Sequence, residues 1–148
     1  DFKGQNILRQ FDPTLGPVPG PANELEQVLL NLLKNAAQTI HQRDHETEPG
    51  RIILRTRLNP PWAEIQVEDN GVGMPASVRQ RIFEPFFTTQ EVGQGTGLGL
   101  SVSYFIITNN HKGQMEVQST IGLGTCFTLR LPLIANQASV PQHILSKL

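Results

Sequence analysis

A run rich in glycine, from Gly93 to Gly99, has the composition of a loop that contacts phosphate. Its four glycines stand at alternate positions, and an apolar segment from Val102 to Ile107 follows. Such a run is costly as an ordinary loop, because glycine loses more backbone entropy on folding than any other residue. A helix beginning there would present unpaired N–H groups and the positive end of its dipole to a phosphate. The pattern alone fits a phosphate-contacting lid and a ligand-free flexible loop equally well.

Asn31 and Asn35 are spaced so that two carboxamide oxygens could meet one cation. They belong to residues 24–42, where apolar side chains recur at i, i+3 and i+4 and predict a long amphipathic helix. On that helix the two asparagines border the apolar face, whereas Lys34 lies further round toward solvent. Their spacing alone favours the simpler interpretation, in which they are polar residues at the flank of a helix.

Asp69 ends a predicted strand at an unusual place for a charge. The strand predicted for residues 62–69 alternates, and Asp69 falls on the same face as its apolar residues. These are Ala63, Ile65 and Val67. A carboxylate on the core-facing side is costly unless donors meet it. Asp69 could also cap the turn at 70–71, and the two roles are compatible because a carboxylate has several acceptor sites.

The remaining pattern predicts the elements that hold these residues. Strands are predicted at 6–11, 52–58, 62–69, 115–118 and 127–131, and helices at 24–42, 76–81 and 97–109. Asn23 and Glu26 resemble a capping box at the start of the long helix. This order predicts an α+β fold, a two-layer α/β sandwich in which a mixed, mostly antiparallel sheet of about five strands packs on three helices.

Length and composition are those of one globular domain. With 148 residues and a formal net charge of −1, the chain gives no indication of nucleic acid or an anionic membrane surface as a partner. The single cysteine, Cys126, excludes an internal disulfide and fits the cytoplasm. No apolar run is long enough to span a membrane. Because the chain begins at Asp1, we interpret it as a piece of a longer protein, whose other parts decide whether it is membrane-anchored.

Three phenylalanines lie within five residues, shortly before the glycine-rich run. They are Phe83, Phe86 and Phe87, and Pro85 stands among them. Such a cluster predicts a hydrophobic plug beneath the loop, with Phe86 and Phe87 as its anchors.

Five separated motifs, in order, resemble those of a known family. Asn31-Leu32-Leu33-Lys34-Asn35-Ala36 resembles the N box of sensor histidine kinases, Asp69-Asn70-Gly71-Val72-Gly73 the G1 box, and Phe83-Glu84-Pro85-Phe86-Phe87 the F box. Gly95-Thr96-Gly97-Leu98-Gly99-Leu100 resembles the G2 box, and Gly122-Leu123-Gly124-Thr125 a further glycine motif. Residues 1–132 are thus similar to the catalytic ATP-binding domain of two-component histidine kinases of the nitrogen-regulation type, with the GHKL (Bergerat) fold. Residues 133–148 are left as a C-terminal tail or linker.

The resemblance implies a site for ATP and Mg²⁺. Asp69 would accept a hydrogen bond from the adenine amino group, and Asn31 and Asn35 would hold Mg²⁺, which prefers hard oxygen ligands. Backbone N–H groups of the lid would contact phosphate. The implied ATP-binding residues are Asn31, Asn35, Asp69, Gly71, Gly73, Phe87, Gly95, Thr96, Gly97, Leu98, Gly99, Leu100 and Thr125.

The resemblance also implies the reaction. In gyrase-like and Hsp90-like ATPases a glutamate four residues before the magnesium-binding asparagine activates water, and Asn31 cannot act as that base. We therefore expect poor hydrolysis and transfer of the γ-phosphoryl group to a histidine, with Asn31 and Lys34 as catalytic residues. The cation that related kinases often carry before the lid is absent from residues 88–90. Lys34, Arg79 or Arg81 are candidates to replace it.

No histidine of this chain lies in the context of a phosphoacceptor. His41, His45, His111 and His143 fall at helix ends, in loops or in the tail. The expected partners are therefore a separate dimerisation and phosphotransfer domain, in a homodimeric full-length protein, and a downstream response regulator. Two alternatives remain open: an ATP-driven conformational machine of the GHKL type, and a nucleotide-free pseudokinase that serves as an interaction module.

Overall fold

A five-stranded mixed sheet and a helical layer build the protein. The computed structural model describes residues 6–43, 48–87 and 99–133 and the backbone of 139–140. The elements are β1 (Asn6–Gln10), β2 (Val18–Pro19), α1 (Ala22–His41), β3 (Arg51–Asn59), β4 (Trp62–Asp69), α2 (Ala76–Arg79), α3 (Gly99–Phe105), a π-helical turn (Ile106–Asn110), β5 (Gln114–Thr120), β6 (Gly124–Pro132) and β7 (Ser139–Val140). The sheet order is β1-β3-β4-β6-β5. Only β1–β3 is parallel among its pairs, so the predicted fold class is confirmed.

Helix α1 supplies most of the helical half of the core. Its apolar face packs against β4 and is buried, except that Ala37 is half-buried. The buried residues are Leu25, Val28, Leu29, Leu32, Leu33, Ala36 and Ile40. Burial of each leucine or valine contributes about 1.5–3 kcal/mol, so packing rather than local propensity holds the helix in place.

The start of α1 differs from the prediction. The helix begins at Ala22, after Pro21, whose backbone is extended and whose carbonyl accepts the Leu25 N–H at 3.4 Å. No side chain caps it. Asn23 therefore lies inside the first turn, and the predicted capping box with Glu26 is wrong. The fixed φ of proline sets the start two residues earlier than the predicted residue 24.

The other predicted boundaries hold only in part. Helix α2 is shorter than the predicted 76–81, and α3 continues into the π-helical turn where a regular helix was expected. Two-residue strands β2 and β7 pair antiparallel; β2 lies between β1 and α1, and β7 lies in the predicted tail. The division at residue 132 stays a prediction. No helix in the described part of the chain is long and apolar enough to cross a membrane.

Candidate functional site

Asp69 lies at the end of β4, facing α1, with only 4 % of its surface exposed. Its Oδ1 accepts hydrogen bonds from the backbone N–H of Gly71 at 2.8 Å and from the hydroxyl of Thr39 at 3.2 Å. The carboxylate therefore does both things that its position in the strand allowed. It closes the turn after β4, and it points into the layer between sheet and helix.

Burial is the largest influence on the acidity of Asp69. Removal from water raises the pKa of this carboxyl from 3.8 to about 6, and the negative charge of Glu68 acts in the same direction. Hydrogen bonds from Gly71, Thr39 and the backbone of Thr125 oppose the shift without cancelling it. These donors are all neutral. Asp69 is thus a buried carboxylate that the surrounding fold stabilises incompletely, a property common at ligand-binding sites.

Two glycines allow the loop after β4 to lie close to its neighbours. A Cβ at Gly71 would lie 2.7 Å from the carbonyl carbon of Thr39, so the loop contacts α1 backbone against backbone. Gly73 has a φ of +71°, and a Cβ there would collide with the carbonyl oxygen of Thr120. Gly71 and Gly73, which were predicted as site residues, are therefore required by the packing of the loop around Asp69.

Thr125 and Ser119 form the wall on the β5–β6 side of Asp69. Thr125 pairs with Asp69 across the sheet and is 2 % exposed. The hydroxyl of Ser119 lies 2.8 Å from that of Thr125 and accepts the N–H of Met74 at 2.9 Å. Sequence reasoning named Thr125 but missed Ser119. Its only signal was its position opposite Thr125 in the hairpin.

The two asparagines lie in a row with Thr39 along one stripe of α1, four residues apart. The amide nitrogen of Asn31 donates to the carbonyl of Gly99 at 3.3 Å and to the hydroxyl of Ser103 at 3.1 Å. Asn31 thereby joins α1 to the start of α3. The amide nitrogen of Asn35 is buried without a partner among the described residues. The fold thus leaves part of this carboxamide unused, and its oxygen is the atom that could bind a cation such as Mg²⁺.

Thr39 is the site residue that sequence reasoning overlooked on this stripe. The spacing of Asn31, Asn35 and Thr39 at i, i+4 and i+8 could have revealed it. Lys34, in contrast, is exposed on α1. Within the part of the chain that the structure describes, no hydrogen bond or ion pair links the Lys34 side chain to Asn31, Asn35 or Asp69.

The aromatic segment is anchored by a different phenylalanine than predicted. Phe83 stacks on Tyr104 with ring centroids 4.7 Å apart and contacts Phe127 edge-on at 6.2 Å. Phe86 is 73 % exposed with a φ of +66°, so its predicted anchoring role is wrong. The reason is that Phe86 occupies a left-handed backbone position that turns it outward. Phe87 is half-buried and lies 4.7 Å from the guanidinium of Arg81.

Only part of the predicted lid belongs to the residues that the structure describes. Gly95, Thr96, Gly97 and Leu98 lie outside the described residues, whereas Gly99 and Leu100 form the first turn of α3. Leu100 packs against the hydrophobic core. A helix therefore begins at Gly99, within the range predicted for it, and the phosphate contacts stay a prediction.

An open cleft lies at the end of the sheet where β4 and β6 meet. Asp69, Asn70, Ser119 and Thr125 line it, together with residues from the outer side of the sheet such as Glu68. The cleft brings the surroundings of Asp69 close to solvent.

The chain matches the family model described as histidine kinase-, DNA gyrase B-, and HSP90-like ATPase over residues 20–135. It is 44 % identical over 124 residues to the two-component sensor PprA of Pseudomonas aeruginosa, covering 80 % of this chain and 13 % of PprA. It is 35 % identical over 138 residues to the sensory histidine kinase/phosphatase NtrB of Vibrio alginolyticus, covering 86 % of this chain and 37 % of NtrB. The chain thus spans a minor part of these relatives.

Solved structures with a similar fold also include proteins of this kind. Full-length ShkA in complex with AMPPNP superposes with a TM-score of 0.74 at 28 % identity, covering 92 % of this chain and 27 % of ShkA. Histidine kinase ThkA in complex with the response regulator protein TrrA gives a TM-score of 0.69 at 25 % identity, covering 88 % of this chain and 34 % of the ThkA chain. Fold and site motifs define a GHKL-type nucleotide-binding domain. The chain belongs to the histidine kinase-, DNA gyrase B-, and HSP90-like ATPase family. Of the relatives named above, PprA is a two-component sensor and NtrB a sensory histidine kinase/phosphatase.

Proposed function

We propose that this domain positions Mg²⁺-ATP for transfer of its γ-phosphoryl group to a histidine on a separate dimerisation domain, in two-component signalling. The observation that carries the proposal is the buried Asp69 carboxylate, stabilised only by neutral donors, next to a stripe of α1 that holds Asn31 and Asn35. A buried acceptor of this kind gains a favourable partner in the exocyclic amino group of adenine.

The remaining residues complete the proposed site around that anchor. Thr125, Gly71 and Gly73 shape the adenine end, and Asn35, together with Asn31, would hold Mg²⁺ beside the phosphates. Mg²⁺, when bound, would neutralise phosphate charge and orient the triphosphate. Gly95, Thr96, Gly97, Leu98, Gly99 and Leu100 would contact phosphate, and Phe87 would border the site. Lys34 keeps its proposed catalytic role as a cation on the same helix.

Asn31 supports phosphoryl transfer over hydrolysis. It stands where the water-activating glutamate of gyrase-like ATPases would lie, and a carboxamide cannot accept the proton of an attacking water. Catalysis by this domain would then consist of positioning and charge neutralisation. The names of the sensor-kinase relatives favour the same choice over a conformational machine or a nucleotide-free module.

The acceptor histidine is proposed to lie outside this chain. His111, 9 % exposed, lies 3.1 Å from Glu24 and fixes the π-helical turn to the start of α1, so it has a structural role. We infer a homodimeric, cytoplasmic kinase that phosphorylates a response regulator. The ThkA–TrrA complex is a precedent for such a partner in a structural neighbour.

The test is incubation of this domain with γ-labelled ATP and Mg²⁺, with the dimerisation domain of the parent protein supplied in trans. Label on a histidine of that domain supports the proposal. Release of free phosphate without protein label favours the conformational machine. Absence of nucleotide binding by the folded domain favours the nucleotide-free module and overturns the proposal.

A further inference from the structure

We infer that Thr39 is the positioning residue that sets the orientation of the Asp69 carboxylate and, through it, the preference of the site for adenine over guanine. The inference rests on the proposed function and deepens it. Thr39 itself need not touch the nucleotide.

The first step is the geometry around Oδ1 of Asp69. The hydroxyl of Thr39 and the N–H of Gly71 approach this one oxygen from α1 and from the loop after β4, at 3.2 and 2.8 Å. Two donors on one oxygen fix the plane of a carboxylate more firmly than one. The second oxygen, Oδ2, then takes a defined position for a donor from a ligand.

The second step is that the position of Thr39 is itself fixed. Its hydroxyl also lies 3.1 Å from the carbonyl of Ala36, one turn back on α1, so its one hydrogen is shared between that carbonyl and Oδ1 of Asp69. The N–H of Val72 donates to the carbonyl of Thr39 at 3.3 Å, and Gly71 leaves no room for a side chain between loop and helix. The contact between Thr39 and Asp69 is therefore part of a tight junction between α1 and the loop.

The third step links this junction to base selection. A charged Asp69 accepts from the amino group of adenine and repels the carbonyl oxygen that guanine carries at the same ring position. A protonated Asp69 can donate to that oxygen instead, so discrimination requires the charged form. The Thr39 hydroxyl stabilises the charged form, and its removal should weaken both adenine binding and discrimination.

The other groups near Asp69 do not supply this control through a side chain. The backbone N–H of Thr125 on β6 also favours the charged form, but it belongs to the strand itself. Among the described residues, Glu68 on the same strand opposes the charge of Asp69, and Cys126 on β6 is the titratable group from the neighbouring strand. Ile52, which pairs with Asp69 on β3, is apolar. From α1 the hydroxyl of Thr39 is the donor that reaches the carboxylate.

The experiment compares Thr39→Val, Thr39→Ser and Thr108→Val by calorimetric titration with ADP and GDP from about pH 5 to 8. Thr108 is the matched control, because its hydroxyl also bonds a helical carbonyl, that of Tyr104 at 2.7 Å, and no contact joins it to Asp69 among the described residues. We expect Thr39→Val to lose roughly tenfold in ADP affinity at neutral pH. We also expect its loss of affinity on acidification to begin at higher pH, and its ADP-to-GDP preference to narrow. Thr39→Ser and Thr108→Val should follow the wild type.

Several outcomes separate the possible failures. If Asp69→Asn binds ADP at least about tenfold more weakly than the wild type, but Thr39→Val matches the wild type at every pH, the inference is wrong and the proposed function stands. If the folded wild type binds no nucleotide, both fail. If Thr39→Val does not fold, the Asp69 carboxyl is titrated by carbon NMR in ligand-free Thr39→Ala. A pKa above the wild-type value supports the inference, and an unchanged pKa overturns it.

Discussion

Two nearly buried carboxylates, Asp69 and Glu64, lie on opposite faces of the same strand, β4, and the fold treats them in opposite ways. Glu64 is 2 % exposed and forms salt bridges with Arg57 at 2.7 Å and with Arg130 at 2.8 Å. Burial by itself would raise the pKa of Glu64, but hydrogen bonds from the two arginines and from Asn59 outweigh it and hold the pKa below its ordinary value. Asp69 meets neutral donors only, and its pKa rises to about 6.

The difference separates a structural carboxylate from a carboxylate kept for a ligand. Glu64 has all the positive charge that it needs within the sheet, where it connects β3, β4 and β6. Asp69 lacks such charge, so a bound donor can still improve its surroundings. An odd number of positions separates the two residues, so the alternation of side chains along β4 places them on opposite faces of the sheet. Arg57 and Arg130 reach only the outer face, where Glu64 lies.

Asp69→Asn should stabilise the ligand-free protein. Asparagine keeps an oxygen for Gly71 and Thr39 but carries no buried charge. Because the folded pKa is raised from 3.8 to about 6, the protonated form stabilises the fold below about pH 4, and this contribution is lost as pH rises through 6. We expect a gain of up to about 3 kcal/mol at pH 7 and little difference near pH 4, measured by urea unfolding. Equal stability at both pH values would contradict the assignment of Asp69 as an incompletely stabilised charge.

The same substitution should weaken nucleotide binding. A hydrogen bond to a charged acceptor contributes about 1.5–3 kcal/mol, so loss of the charge should lower the affinity for ATP about 10- to 100-fold. Calorimetric titration at neutral pH measures the effect, with Glu64→Gln as the control that also removes a buried charge from β4. Unchanged affinity of the Asp69 variant would contradict the assignment of Asp69 as the residue that binds adenine.

Much of this contrast could be read from the sequence, and the rest required the fold. Alternation along β4 placed Asp69 on the core-facing side and Glu64 on the other, and the periodicity of α1 put Asn31 and Asn35 at its flank. Alternation could not show that Glu64 is buried, because its burial comes from Arg57 and Arg130 on two neighbouring strands.

The errors also have physical causes. Helix α1 begins after Pro21, ahead of the expected cap at Asn23. The positive φ of Phe86 turns that ring to solvent, and Phe83 occupies the anchoring position. The role of Thr39 depends on contact between residues 30 positions apart. Spacing along α1 places Thr39 on the stripe of Asn31 and Asn35, but no local pattern shows that it meets Asp69.

Glu64→Gln should have the opposite effect on stability to Asp69→Asn. The variant loses charge-assisted bonds to Arg57 and Arg130, and both arginines can turn toward solvent, so the expected loss is about 1–2 kcal/mol at pH 7. Because the pKa of Glu64 is lowered in the folded protein, the ionised side chain stabilises the fold above pH 4.5, the ordinary pKa of the group. This contribution is lost as the pH falls through the folded pKa. Urea unfolding of both proteins should therefore converge in acid. If Glu64→Gln is as stable as the wild type at pH 7, Glu64 does not have the structural role that distinguishes it from Asp69.

Asn35→Ala should reduce the effect of Mg²⁺ on ATP binding and leave the fold intact. Of the substitutions considered, it should therefore change the stability least. The buried amide nitrogen of Asn35 has no partner among the described residues, so truncation removes a poorly satisfied polar group and costs less than about 1 kcal/mol. The increase in ATP affinity that Mg²⁺ produces in the wild type should be lost, as measured by titration with and without the ion. Asn109→Ala, on the exposed end of the π-helical turn, is the control and should keep that increase. If Asn35→Ala still responds to Mg²⁺ as the wild type does, the metal is held elsewhere, and the polar stripe of α1 serves the base through Thr39 and Asp69 alone.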